Sequence, residues 1–323
     1  MRSQLVHIFT VPFVIIAFPA SLFAQTPDLV SNNQQPSLSV NVENSATRTN
    51  APIAQADGVE EYQIQIARPY EAGSIFNFST RGTESISYAV LQNGQEIDRN
   101  QESSTLELQA NVTVLDVNLD QQMTRVSFDV VQSKLTEGET ESIPFSQGTN
   151  ILAFVQDRNT IFEIDGEVIT EDLEGILSVS IDLLDEGGPS DDEVFGTLNR
   201  QQVGSSWSVN SEAASATLDN VEPQDISGSI TLNNVEDETL FISGLTNIDN
   251  GLSPFLDQDE FIVQSDTTVI EFATQLPIEE LDGNFDRTTS LTSSISANHR
   301  DDSQLRLEMV YEASVSSQLS SIQ

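Results

Sequence analysis

The side chains that most often carry chemistry in proteins are scarce in this sequence. Its 323 residues include no cysteine, and of its 2 histidines only His299 lies beyond the N-terminal segment. Cysteine–histidine nucleophile pairs and multi-histidine metal sites need residues that the chain lacks. The G-x-S-x-G, H-E-x-x-H, Walker and G-x-G-x-x-G motifs are absent too, and with them the common signatures of hydrolases, zinc proteases and nucleotide enzymes. We therefore expect a protein that is not an enzyme.

Carboxylates are the one reactive group in excess, with 51 Asp and Glu residues. A glycoside hydrolase needs only two of them, spaced across a sugar cleft. Such clefts offer aromatic side chains on which sugar rings stack, whereas this chain has 1 tryptophan and 4 tyrosines. A carboxylate-based glycoside hydrolase is therefore a remote alternative, and no catalytic residue is assigned.

Two short loops, 185–193 and 247–260, concentrate oxygen donors of the kind that calcium binds. The calcium candidates in the second loop are Asp249, Asp257 and Asp259. Neither loop has the ligand order of an EF-hand, and an acidic, solvated loop is the simpler interpretation of both. We therefore predict no metal and no other cofactor, with calcium as the alternative.

The chain is strongly acidic, because 12 Lys and Arg against 51 Asp and Glu give a net charge of −39. Nucleic acid is excluded as a partner, since phosphate binding needs clustered cations. Repulsion between so many carboxylates opposes a compact fold, and salt screens that repulsion. The composition is typical of a protein that works in a salty medium.

Residues 1–24 have the layout of a secretory signal peptide. An apolar run, 11-VPFVIIAFPASLFA-24, ends at the small residue Ala24, as signal cleavage requires. Two prolines interrupt the run, which is shorter than the ~20 residues of a spanning helix. We predict cleavage after Ala24, export to the periplasm or the extracellular space, and no transmembrane segment after processing. Residues 25–58 are polar and lack aromatic residues, which predicts a disordered tether.

The rest of the chain alternates apolar and polar residues with a period of two. In 106-LELQANVTV-114, for example, every second residue is apolar, which predicts a half-buried strand. Asn93-Gly94 is typical of a tight hairpin turn between two such strands. The pattern predicts a mainly β fold of antiparallel curved sheets, in a half-barrel or sandwich-like arrangement, with one helix between two related halves.

Two stretches, 72-AGSIFNF-78 and 203-VGSSWSV-209, share Gly-Ser with an aromatic residue two positions after the serine. A glycine before an aromatic residue suits a strand start, where the ring covers the gap left by the missing side chain. We interpret the stretches as equivalent parts of an internal repeat. The predicted domains are a first β half at 59–169, a helical linker at 170–199 and a second β half at 200–323.

The linker is the one segment with helical periodicity. Its apolar residues Leu173, Ile176 and Leu177 fall on one helical face, and a Gly-Gly-Pro sequence ends the pattern. A strand in the same segment is the competing interpretation. Ser190 and Glu193 then have the spacing of a capping box, which predicts one further helical turn.

An exported chain with Gly-x-x-aromatic strand starts, at Gly73/Phe76 and Gly204/Trp207, resembles exported bacterial all-β proteins. It is also distantly similar to the half-barrel lipoprotein carriers, whose members hold acyl chains between a curved sheet and helices. The resemblance implies an apolar ligand site. The chain departs from that family in lacking the lipid-anchoring cysteine.

Two functions are left open by the sequence. The favoured one is a non-catalytic secreted or periplasmic module that acts in the structure or the interactions of the envelope or extracellular matrix. The alternative is a carrier that binds an apolar ligand between sheet and helix. An apolar cavity of at least ~300 Å³ would favour the carrier, and a filled core the module. The residues that line the pocket, or fill the core in its place, are Phe76, Trp207, Leu173, Ile176 and Leu177.

Overall fold

The computed structural model describes residues 60–156, 159–169, 177, 181, 183, 189–218, 221–249, 261–278, 285–301 and 304–322. These residues form one antiparallel sheet of 13 strands that is not closed into a barrel. The mainly β, antiparallel class predicted from the sequence is therefore confirmed, and the strands join in one sheet and not in the two sheets of a sandwich. The predicted signal peptide and tether lie outside the described residues.

The strands are long in the middle of the sheet and short at its edges. Their bounds are β1 (Ile75–Gln92), β2 (Gln95–Val117), β3 (Met123–Glu137), β4 (Thr140–Ser142), β5 (Asn150–Gln156), β6 (Asn159–Ile164), β7 (Glu167–Val168), β8 (Ser206–Ser208), β9 (Ile226–Glu236), β10 (Thr239–Asp249), β11 (Phe261–Pro277), β12 (Phe285–His299) and β13 (Leu305–Ser321). Two short helices, α1 (Asp191–Val194) and α2 (Ser211–Thr217), and a 3₁₀ turn (Pro223–Asp225) complete the described elements. Within these ranges no helix is long and apolar enough to cross a membrane.

The strand order is β7-β6-β5-β3-β2-β1-β13-β12-β11-β10-β9-β8, with β4 paired to β3. Most neighbours are joined by hairpins, as at Asn93 and Gly94 between β1 and β2, where φ is +51° and +74°. Positive φ at both positions is what a type I′ turn requires, so the predicted hairpin is confirmed. The pairing of β1 with β13 is not a hairpin, and it joins the earlier and later strands at the centre of the sheet.

Alternation divides the sheet into two faces. One, the inner face, carries the buried apolar side chains, and the other, the outer face, is mostly exposed. Three clusters lie on the inner face: a first core on β1–β3, β5 and β6, a second core on β9–β13, and a third core at the far ends of β1 and β11–β13. Segment 62–70 contributes side chains to the first two cores and so covers part of the inner face. The same holds for Leu177, Ile181, Leu183, Val194 and Phe195.

Gly73 and Gly204 build the same turn at the starts of β1 and β8. Both have positive φ, +91° and +86°, a conformation that favours glycine. The Gly73 N–H donates to Val114 O on β2 over 2.8 Å, and the Gly204 N–H donates to Leu232 O on β9 over 2.7 Å. The two strand starts therefore have the same backbone geometry, as predicted. An internal repeat that covers the two β halves in full stays a prediction.

The predicted linker helix lies mostly outside the described residues. Leu177 is helical, and the Ile181 N–H donates to Leu177 O over 2.8 Å with the four-residue spacing of a helix. The predicted capping box at α1 is confirmed: the Glu193 N–H donates to Ser190 Oγ, and the Glu193 carboxylate accepts from the Ser190 N–H.

Candidate functional site: two polar clusters beneath the covered face

The predicted pocket residues do not converge on one place. Phe76 and Leu177, 5% and 0% exposed, belong to the first core. Trp207 packs against the second core and is only partly buried. Leu173 and Ile176 lie outside the described residues. Phe76 and Leu177 therefore fill space between the sheet and the segment that covers it.

Trp207 is held by its polar atom as well as by its ring. The indole N–H donates to Phe195 O over 2.8 Å, and the Phe195 ring contacts Phe272 of β11 with centroids 5.1 Å apart. Trp207 is paired with Ile230 on β9, just as Phe76 is paired with Val112 on β2. The two aromatic residues thus take equivalent places in the sheet, each against a different core.

The calcium candidates are not assembled in the described part of the chain. Asp249 is exposed at the end of β10, while Asp257 and Asp259 lie outside the described residues. Among the described residues, no group of three or more His, Cys, Asp or Glu side chains is placed to hold a metal ion. The absence of a cofactor stays a prediction.

An ion cluster joins the covering segments to the sheet. It comprises Arg68, Tyr70, Asp191 and Arg287. Arg287 Nη2 on β12 donates to Asp191 Oδ2 at the start of α1 over 3.0 Å, with the two side chains 27% and 7% exposed. Arg68 Nη2 donates to Pro277 O at the end of β11 over 2.7 Å. Two of the chain's 12 basic residues are thus placed beneath the cover, and sequence spacing gave no signal for either.

Burial controls ionisation within this cluster. Burial raises the pKa of Tyr70 far above its ordinary value, and the nearby Arg287 and Arg68 guanidinium groups offset only part of that rise. Burial also raises the pKa of the neighbouring Asp192, while hydrogen bonds from the backbone lower it in part. The shorter of those bonds runs from the Ile66 N–H to Asp192 Oδ1 over 2.6 Å. The cluster therefore holds segment 62–70 and α1 against the sheet.

A second group of buried polar side chains, the polar row, crosses the inner face. Tyr311, Ser293 and Thr268 stand directly opposite one another on β13, β12 and β11, and each is 1% exposed. Thr268 Oγ1 donates to Ser293 Oγ over 3.1 Å. Glu84 on β1 completes the row and is 6% exposed. Burial raises the pKa of Glu84 to about 7, and a hydrogen bond from Tyr311 lowers it in part.

Strand alternation is the signal that could have identified Glu84 from the sequence. Even-numbered residues on β1 face inwards, among them Phe76, Phe78 and Val90, and Glu84 is one of these even-numbered residues. A carboxylate in an inward position of an alternating strand departs from the usual pattern of polar side chains on the solvated face.

The outer face presents mainly hydroxyl groups on its central strands. On β12 the outward residues Thr288, Thr292 and Ser294 are exposed. Some basic residues on this face are paired, as where Arg81 Nη1 lies 3.3 Å from Glu107 Oε1. We call the following outward residues the hydroxyl face: Ser79, Thr83, Ser85 and Ser87 on β1, Thr288, Ser290, Thr292 and Ser294 on β12, and Ser314 and Ser316 on β13.

No protein-family model and no curated protein matches this chain. Among solved structures it is similar to lipovitellin, described for its lipid–protein interactions, at 7% identity and a TM-score of 0.31, over 79% of this chain and 26% of lipovitellin. The chain therefore spans 26% of the length of that neighbour. It is also similar to the outer membrane protein OprG from Pseudomonas aeruginosa, at 6% identity and a TM-score of 0.20, over 78% of this chain and 96% of OprG. TM-scores this low carry no argument about the function of this chain.

Proposed function

We propose that this chain is a non-catalytic exported module that acts by contact, as a structural or interaction component of the cell envelope or the extracellular matrix. The observation that carries the proposal is the difference between the two faces of the sheet. The inner face is packed with buried apolar side chains, whereas the hydroxyl face is half-buried to exposed on adjacent central strands. Contact through the outer face needs no catalytic residue and no cofactor.

The packing of the inner face supports a module over a carrier. Phe76 and Leu177, which would line the pocket of a carrier, are 5% and 0% exposed within one core. Phe76 also contacts the Tyr70 ring edge-to-face, with centroids 5.7 Å apart. Side chains packed in this way stabilise the fold, and a bound ligand would have to displace them.

The chemistry of the hydroxyl face suits a neutral, polar partner such as a polysaccharide. Serine and threonine hydroxyls both donate and accept hydrogen bonds. The Thr83 and Thr105 Oγ1 atoms, 3.2 Å apart on β1 and β2, place such groups side by side at strand spacing. An anionic partner would meet repulsion from a chain whose net charge is −39.

Co-sedimentation with a neutral insoluble polysaccharide, such as cellulose, tests this function. The variant Ser294→Glu with Ser316→Glu places two charges on exposed positions of β12 and β13. We expect at least tenfold weaker binding than that of the wild type. The matched control, Gln132→Glu with Asn234→Glu, adds the same charge at exposed positions of β3 and β9 and should bind like the wild type. Circular dichroism melting verifies that all three proteins are folded.

Absence of wild-type binding, or equal loss in both variants, would contradict the proposal. Mass spectrometry of an organic extract of the purified protein tests the alternative. A stoichiometric apolar molecule in that extract would favour the carrier.

A further inference from the structure

The pairing of β1 with β13 is the one strand pairing, within the described part of the sheet, that joins strands β1–β7 to strands β8–β13. It runs from Phe76 opposite Ser321 to Gln92 opposite Leu305. We call this pairing the junction. Together with the ion cluster, it keeps the two sides of the sheet together.

The inner side of the junction is polar near its middle. Thr80 Oγ1 and Ser317 Oγ lie 2.8 Å apart across it and are buried. Glu84 follows on β1 and reaches Tyr311 on β13 by a hydrogen bond. Gly82 lies between the two pairs and adds no side chain. This stretch is therefore held together with few apolar contacts.

Glu84 lies where the three cores approach one another. On its own strand, Ile86 packs against the second core and Tyr88 against the third. Leu106 of the first core is opposite Gly82. A charge at Glu84 would therefore be placed among apolar side chains on three sides, in a side chain that is only 6% exposed.

Few titratable groups face Glu84. Tyr311 faces it from β13, and Ser104, which does not titrate, is opposite on β2. Glu102 follows on the same face of β2 and is exposed. Among the described residues no cationic group acts on the Glu84 carboxyl, and its buried Oε2 atom has no hydrogen-bond partner. Apart from the Tyr311 hydroxyl, which lowers the pKa of Glu84 in part, nothing in the described surroundings compensates a negative charge at this position.

We propose that Glu84 makes the junction respond to pH: protonated Glu84 keeps β1 and β13 together, and ionised Glu84 favours their separation. Separation lets water reach the carboxylate, which lowers the cost of burying a charge. The response is local to β1 and the two strands paired with it, since the ion cluster and the pairings among β9–β12 do not contain Glu84. The protein would thus loosen its sheet on passing from acidic to neutral surroundings.

Proton linkage determines the direction in which pH changes the stability of the junction. The pKa of Glu84 is about 7 in the closed junction and 4.5 as its ordinary value, so the closed state holds the proton more tightly. The population of the open junction should rise about tenfold with each pH unit between the ordinary and the raised pKa of Glu84. Above the raised pKa this population should no longer change with pH. The stabilisation of the junction is complete below pH 4.5 and is lost as pH rises to about 7.

Hydrogen exchange measured by mass spectrometry, corrected for intrinsic rates, tests the proposal on the full chain. In the wild type, peptides from β1 and β13 should lose protection as pH rises from 5 to 7, by about tenfold per unit. Glu84→Gln should abolish that dependence. The control Glu312→Gln changes an exposed carboxylate beside Tyr311 on β13 and should leave it unchanged.

Tyr311→Phe provides a second test that does not depend on the folding of Glu84→Gln. Its hydroxyl lowers the pKa of Glu84, so its removal should extend the pH-dependent range to higher pH. An unchanged pH dependence in Glu84→Gln or in Tyr311→Phe would overturn the proposal. Equal loss of protection in β9 and β10 would overturn it as well, because the response would then be global.

Discussion

Gly73 and Gly204 lie at the same position of two identical turns. In each turn the residue after the glycine, Ser74 or Ser205, donates its N–H to the carbonyl three residues earlier, and its own carbonyl accepts from the strand partner. A Cβ at either glycine would meet no atom within 4 Å. The glycines are therefore required by backbone conformation and not by space.

We expect Gly73→Ala and Gly204→Ala to destabilise the protein equally, by about 1–3 kcal/mol each, the cost of a non-glycine residue in this region of φ. Denaturant unfolding measures both. Gly73→Asn should cost less, because asparagine tolerates positive φ better than alanine does. Clearly unequal costs for the two alanine variants would show that the turns differ in their energetic role.

Replacing Trp207 tests whether its ring is part of the core. Trp207→Ala should lower the free energy of unfolding by about 3 kcal/mol, the lower end of the range for a large aromatic, because the ring is only partly buried. Trp207→Phe keeps a ring and loses the bond to Phe195, so it should cost about 1 kcal/mol. Urea unfolding with an unchanged midpoint and slope for Trp207→Ala would refute this role.

The ion pair between Arg287 and Asp191 should be costly to break from one side. Arg287→Leu leaves the Asp191 carboxylate buried without its partner, and we expect a loss of about 3 kcal/mol. Adding Asp191→Asn should recover part of that loss, which a double-mutant cycle measures. The exposed pair of Arg81 with Glu107 is the control, and Arg81→Leu should cost less than about 1 kcal/mol. An equal loss of stability at the two sites would contradict the role of the Arg287–Asp191 pair in holding the covering segments to the sheet.

Salt should stabilise the protein because its net charge is −39. We expect the thermal midpoint to rise between ~0.05 M and ~1 M sodium chloride, as the Debye length shortens and repulsion is screened. Chloride is the appropriate salt, since sulfate would also strengthen apolar burial. A flat or falling midpoint would mean that the carboxylates are already compensated.

Local features of the fold were predictable from sequence, because their signals lie within a few residues. Alternation located β2, the Asn93-Gly94 dipeptide located a hairpin, and the spacing of Ser190 and Glu193 located a capping box. The strand starts at Gly73 and Gly204 were predicted in the same way. Each of these depends on backbone geometry that one short segment determines by itself.

The polar clusters could not be predicted, because each assembles residues that are far apart in the sequence. Arg68 and Arg287 meet only after β12 has joined the sheet and segment 62–70 has folded across it. Tyr311 and Ser293 become neighbours through strand register, which a one-residue shift would change. Polar residues on alternating strands are ordinarily assigned to the solvated face, so the inward ones are not distinguished by composition.

The position of the junction has a consequence for how the chain acquires its fold. β1 is 18 residues long and β13 is 17, yet nearly the whole described sequence separates them, and contacts of such high contact order form slowly. Hairpin-linked strands can assemble early on either side, each side ending in a long edge whose backbone groups have no partner. Such an edge is a template for pairing with other chains. Newly made molecules are therefore most prone to aggregate in the interval before β13 reaches β1, and a chaperone that covers β1 in that interval would raise the yield of folded protein.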